Sequence, residues 1–217
     1  MDLNQLQSLV HQTQDRFRAN VIDLQNVSTI TNALAAGGFS YDRVKFPTLV
    51  DTENFTDTAG DSPSSLAEAL LWKLGKWKSY VKFSEQYHDL TTQPTNSDTV
   101  FFAFARHLQD NSNLIYDQHA LRALWAIDDT LNDFEVEKIK SVLINGKNEW
   151  KQTGAGSHAT DCYEIFTNHA NSIISKGIDA RTLDDLLMPL GQALKNVSAD
   201  YPQFAFACGW TLNSEAG

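Results

Sequence analysis

A chain of 217 residues is long enough to bury a sizeable core as one domain, and its 42% hydrophobic and 20% charged residues fall in the ordinary range of soluble globular proteins. No apolar run approaches the roughly 20 residues a membrane span needs, so no membrane partner is expected. The formal net charge of −10 repels nucleic acid unless positive charge is concentrated locally.

The first residues, Met1-Asp2-Leu3-Asn4-Gln5-Leu6, lack the basic and apolar regions of a secretory signal. Leu3, Leu6, Val10, Phe17, Val21 and Leu24 recur at near-helical spacing and predict one amphipathic helix over residues 3–24. A shorter helix is expected from Ser28, as N-cap, to Ala36, with Gly37-Gly38 as its stop. Phe39 to Pro63 reads as irregular. Tyr41 to Val50 has room for a short extended piece, although Pro47 confines it to an edge or a loop. Residues 51–65 form a long connection rich in Asp, Thr, Ser and Gly, so one helical domain spanning 1–217 can still divide into two lobes there.

Ser64 or Ser65 is placed to cap a helix beginning at Leu66, which Gly75 ends or weakens, and Trp77 to Tyr87 is helical again. Pro94 to Ser97 is a turn. Ser97 is then expected to cap Asp98 to Leu108, which is apolar almost all round and so reads as buried. A polar loop from Asn111 leads through Leu114-Ile115-Tyr116 into a helix opened by Asp117. Asn132 and Glu135 have capping-box spacing for the next helix, ended by Asn145-Gly146. Lys151 to Ser157 is a glycine-rich loop, followed by a helix from about Thr160 to Lys176 that stops at Gly177. Thr182 with Asp185 is expected to cap a last helix that Pro189 kinks or restarts. The aromatic stretch from Tyr201 to Trp210 is expected to pack back on the core. With no repeat and no hairpin signal, the fold class is mainly α, a compact multi-helix globular fold.

Two constellations carry chemistry. The first is Asp117 with His119 and Arg122, all in the opening turns of one helix. A helix N-terminus offers unpaired N–H groups and partial positive charge, so Asp117 is either a backbone cap or a catalytic carboxylate. His119 and Arg122 can pair with it or with an outside phosphate. The second is a lysine cluster, Lys73, Lys76, Lys78 and Lys82, interleaved with Trp72, Trp77, Tyr80 and Phe83. Its alternatives are a solvated helix face or a surface whose rings stack bases while the lysines track phosphates. Cys162 and Cys208 are far apart and in no metal-like pair, which fits a reducing, cytoplasmic setting. His158, Cys162 and His169 have no spacing that makes a metal site, and no Walker loop, nucleophile elbow or dinucleotide fingerprint occurs. Neither metal nor cofactor is therefore expected.

The segment Leu114-Ile115-Tyr116-Asp117-Gln118-His119-Ala120-Leu121-Arg122, preceded by an apolar helix and a short polar loop, resembles the catalytic segment of the helix-hairpin-helix DNA glycosylase superfamily over about residues 94–127. The resemblance implies an all-helical, two-lobed fold that flips a damaged base into a cleft, with Asp117 assisting loss of the base. It departs from the family pattern at Pro94-Thr95-Asn96-Ser97, where the family hairpin has glycines, and at Asp98, where bifunctional members have a lysine nucleophile. It therefore implies a monofunctional hydrolase or a derivative that only binds DNA, with Trp72, Lys73, Lys76, Trp77, Lys78, Lys82, His119 and Arg122 on the DNA side. The alternative is a non-enzymatic acidic interaction or regulatory protein, in which Asp117 only caps its helix. The sequence sets no oligomeric state.

Overall fold

A computed structural model of the chain describes residues 1–41, 66–110, 112–143 and 158–200, with the side chains of 197–200 left aside. The expectations for Asn111 and for residues 42–65, 144–157 and 201–217 lie outside the described residues. The described residues form nine helices and no strand, so the fold is mainly α. No helix among them is long and apolar enough to cross a membrane.

The first two helices correct the reading of one helix over 3–24. Helix α1 (Leu3–Arg18) opens on a capping box between Asp2 and Gln5. It ends where Asn20 adopts a left-handed φ of 58°, a conformation that asparagine tolerates better than most residues. Asp23, not Ser28, caps α2 (Leu24–Ala36), its carboxylate accepting from the Asn26 N–H at 2.8 Å. Val21 and Leu24, which extended the apolar pattern, are exposed, and Ile22 is buried in their place. The Gly37-Gly38 stop holds.

Helix α3 (Leu66–Lys73) ends at Gly75, whose φ of +70° lets the Lys76 N–H reach back to the Leu71 carbonyl. Helix α4 (Trp77–His88) follows. In α5 (Thr99–Gln109) the cap position falls on Asp98 rather than Ser97, and the Asp98 carboxylate accepts from the Thr95 N–H at 2.7 Å. α5 is not buried all round: Phe102, Ala103 and Ala105 face inward while Phe101 is exposed.

Helix α6 (Gln118–Ile127) is the centre of the molecule, every residue from Ala120 to Ile127 being buried. Helix α7 (Asp133–Leu143) opens on the expected Asn132–Glu135 capping box. Helix α8 (Ala159–Ile174) leads to the turn at Gly177. Helix α9 (Ala180–Asp200) is capped by Asp179, which accepts from the Thr182 N–H at 2.7 Å, so Thr182 lies inside the helix. It runs through Pro189 as one element rather than restarting there.

α9 lies mainly against α6 and α2, α1 runs along α6, and α7 and α8 pack together and against α6. The Gln14 amide donates to the Ala126 carbonyl at 2.7 Å and Arg18 pairs with Asp129, which fixes α1 along α6. α3 packs on α4, α4 on α5, and α5 on α8. The α6–α9 crossing depends on Gly191: a Cβ there would stand 2.0 Å from the His119 carbonyl oxygen, so only glycine lets the two backbones meet.

Candidate functional site

The run from Leu114 to Tyr116 is drawn into the core between α8 and α9. The Ile115 N–H donates to the buried Asp184 carboxylate at 3.2 Å, and the Tyr116 ring lies 5.2 Å from Tyr163 and 5.3 Å from Phe166. Burying this run sets Asp117 at the mouth of α6. Its Oδ1 accepts from the His119 N–H at 2.6 Å and the Ala120 N–H at 2.9 Å, which is N-cap geometry, and the residue is half-buried.

His119 is half-buried and Arg122 is fully buried. The His119 backbone is pressed against Gly191. Burial lowers the His119 pKa, with the charge of Asp117 opposing that shift. Arg122 is sealed in the core with no exposed surface, which corrects the expectation of a residue able to meet phosphate. Burial pushes its guanidinium down to about 9 while Asp117 holds it up, and it lies 3.5 Å from the Gln118 side-chain oxygen.

The lysine cluster is a true surface. Glu68 is 2% exposed and accepts the Tyr80 hydroxyl at 2.8 Å, which ties α3 to α4 through its inward side. Burial, then the hydrogen bond to Glu68, raise the Tyr80 pKa. At about 100° per residue, Leu66 and Leu70 fall roughly opposite Glu68 on the helix, so anchoring Glu68 turns them outward. Leu66 is 90%, Leu70 57%, Trp72 58% and Leu74 61% exposed. Lys73, Lys76, Lys78 and Lys82 are exposed around them, and Trp77 is half-buried with its ring 5.4 Å from Tyr80. From Ala69 to Ser84 there is no acidic residue, so this stretch contributes +4 to a total of −10 and the rest of the chain carries −14.

No family model, curated protein or solved structure matches this chain.

The two constellations therefore belong to different parts of the fold. α6 packs against α9, α1, α7 and α8, whereas α3 packs on α4 and α4 on α5, with no extended packing between α6 and either α3 or α4. The turn at Pro94–Ser97 is engaged with its own chain, because the Asn96 side-chain oxygen accepts from both the N–H and the hydroxyl of Thr160, each at 3.0 Å, at the start of α8.

Sequence reasoning missed a third cluster. His169 on α8 places Nδ1 2.7 Å from Asp128 and Nε2 3.2 Å from Glu135, joining the ends of α6 and α7. The hydrogen bond to Asp128 raises the His169 pKa, burial opposes the shift, and Glu135 adds to it. Burial pushes Asp128 up, but bonds from His169 and Thr130 outweigh it and leave the carboxyl below its ordinary range. When protonated, His169 donates from both ring nitrogens to carboxylates and acts as a strut between the two helix ends. No spacing in the sequence announces it, since its three residues come from three separate segments. His158 meets Asp161, which also binds Lys138 at 2.6 Å, so His158 and His169 serve different clusters. Burial raises the Cys162 thiol to about 12, far from a reactive thiolate. Among the described residues no group of His, Cys, Asp and Glu is arranged to hold a metal ion.

Proposed function

We propose that this is a non-enzymatic interaction protein whose docking face is the outer side of α3 and α4. The observation that carries this reading is the inward tie between Glu68 and Tyr80, which leaves four large apolar residues and four lysines facing solvent on one short stretch. Exposed apolar surface rimmed by polar and charged side chains is characteristic of a binding face. The N-cap role of Asp117 supports the same reading, because an oxygen committed to its own helix amides satisfies the backbone without any reaction.

The glycosylase-like reading uses the same lysines for DNA and adds Asp117 as the acid–base group. The test is base release from a panel of damaged-base duplexes by the wild type and Asp117→Asn, with duplex titration at low and high salt. The interaction reading expects no base release from either protein and no steep fall of duplex affinity with salt. Base release that Asp117→Asn abolishes would overturn it and establish the glycosylase-like reading instead.

A further inference from the structure

Resting on that reading, we infer that the α3–α4 face binds the surface of an anionic lipid bilayer, lying on it without crossing it. Leu66, Leu70 and Leu74 follow one another every four residues and span about 12 Å, the proportions of a short interfacial stripe. Trp72, also exposed on this helix, carries a ring suited to the headgroup level. Lys73, Lys76, Lys78 and Lys82 flank the stripe, and their long stems reach headgroup phosphates while the leucines enter the acyl boundary.

Charge complementarity selects this occupant. The α3–α4 face exposes four lysines against one exposed acid, Glu85, so it is net positive within a chain of −10 and is the side an anionic surface attracts. Among the described residues, four of the nine exposed large hydrophobic side chains lie between Leu66 and Leu74, beside the lysines. A nucleic-acid backbone would use the lysines and the indole but offers nothing to three exposed leucines, whereas a bilayer uses all of them. An interfacial face needs no transmembrane span, so the lack of one among the described residues does not bear on it.

The experiment is sedimentation of the full chain with vesicles of phosphatidylcholine alone and of phosphatidylcholine with about 30% phosphatidylserine, at low and high salt. Single-stranded and duplex DNA are titrated in parallel. The wild type is expected to partition onto the anionic vesicles only and to weaken with salt. Replacing Lys73, Lys76, Lys78 and Lys82 by glutamine should lower partitioning about fivefold per lysine, on the order of several hundred-fold together. Replacing Leu66, Leu70 and Leu74 by serine should lower it at least about tenfold with little change in its salt dependence. These seven side chains are exposed, and circular dichroism verifies that the variants keep their helices. Independently of the multiple variants, brominated lipid should quench wild-type fluorescence, and Trp72→Phe should remove most of that quenching. Equal binding to neutral and anionic vesicles, or none to either, would overturn the inference, as would leucine variants that bind like wild type. DNA binding through the four lysines without vesicle partitioning also overturns it and names nucleic acid as the occupant. The base-release assay is separate, so failure on lipid and failure of the non-enzymatic reading are told apart.

Discussion

Replacing Gly191 by alanine tests the crossing on which the core is built. The new methyl carbon would stand 2.0 Å from the His119 carbonyl oxygen, 2.4 Å from its carbon and 2.7 Å from its Cα. Ordinary contact begins at 3.4 Å, and all three obstructing atoms are backbone, so no rotamer relieves the clash. α6 and α9 would have to separate by about 1.4 Å, more than the gap that already forfeits a quarter to a half of each dispersion contact. Overpacking usually costs about 1–3 kcal/mol, and this site, with no flexible neighbour to yield, belongs at about 3 kcal/mol or above. That is a large part of a typical stability of about 5–15 kcal/mol. Were the space open, the same substitution in a helix would instead gain about 0.5–1 kcal/mol, so even the sign is informative. Urea unfolding followed by far-UV circular dichroism should show the midpoint falling by about 1 M or more, taking a slope of about 2–3 kcal/mol per M. Gly75→Ala is the contrast: nothing lies within 4 Å, but the φ of +70° costs about 1–2 kcal/mol. A Gly191→Ala protein at or above the wild-type midpoint would show that the two backbones do not meet there.

Three further measurements bear on the cap, the strut and the docking face. Asp117→Ala should lose about 1 kcal/mol of stability while Asp117→Asn, which can still cap, loses much less, and equal losses in urea unfolding would contradict the capping role. His169→Asn should cost about 1.5–3 kcal/mol near pH 6 by removing charged hydrogen bonds to Asp128 and Glu135. Because the folded pKa of His169 is raised, its contribution is complete below the unfolded value of 6.5 and is lost as pH rises through the folded value. The Asp128 contribution, from a lowered pKa, is complete above 3.8 and is lost as pH falls through the folded value. The gap between wild type and variant should therefore be widest between 3.8 and 6.5 and narrow as pH rises through the folded value of His169, and a gap that does not vary with pH would refute the strut. Tyr80→Phe should cost about 1.5–3 kcal/mol by removing the donor to the buried Glu68 carboxylate, and an unchanged thermal midpoint would show that this tie does not anchor α3.

Local signals hold where their cause is local. The Asn132–Glu135 box and the Gly37-Gly38 and Gly177 stops each depend on a few consecutive residues whose backbone groups must be satisfied, and Asp117, open between cap and catalytic carboxylate on sequence grounds, takes N-cap geometry. Errors arose where periodicity continued past a real break. Val21 and Leu24 kept the apolar spacing of α1 although the chain had already turned at Asn20, and they face solvent. Ser28, Ser97 and Thr182 are good caps by type, yet Asp23, Asp98 and Asp179 hold those positions. Several residues qualify as caps in each stretch, so residue type alone does not fix the boundary.

Neighbouring residues and their period suffice for a mainly α fold, for several helix ends and for one stretch of concentrated positive charge in an acidic protein. Packing alone seals Arg122 in, lets Gly191 bring α9 against α6, and stands His169 between two carboxylates. It also decided which side of α3 faces out, since that depends on a tyrosine twelve residues further on holding a buried glutamate. Exposure and encounter are properties of the packed chain, and no local pattern encodes which surface a helix will be left to show.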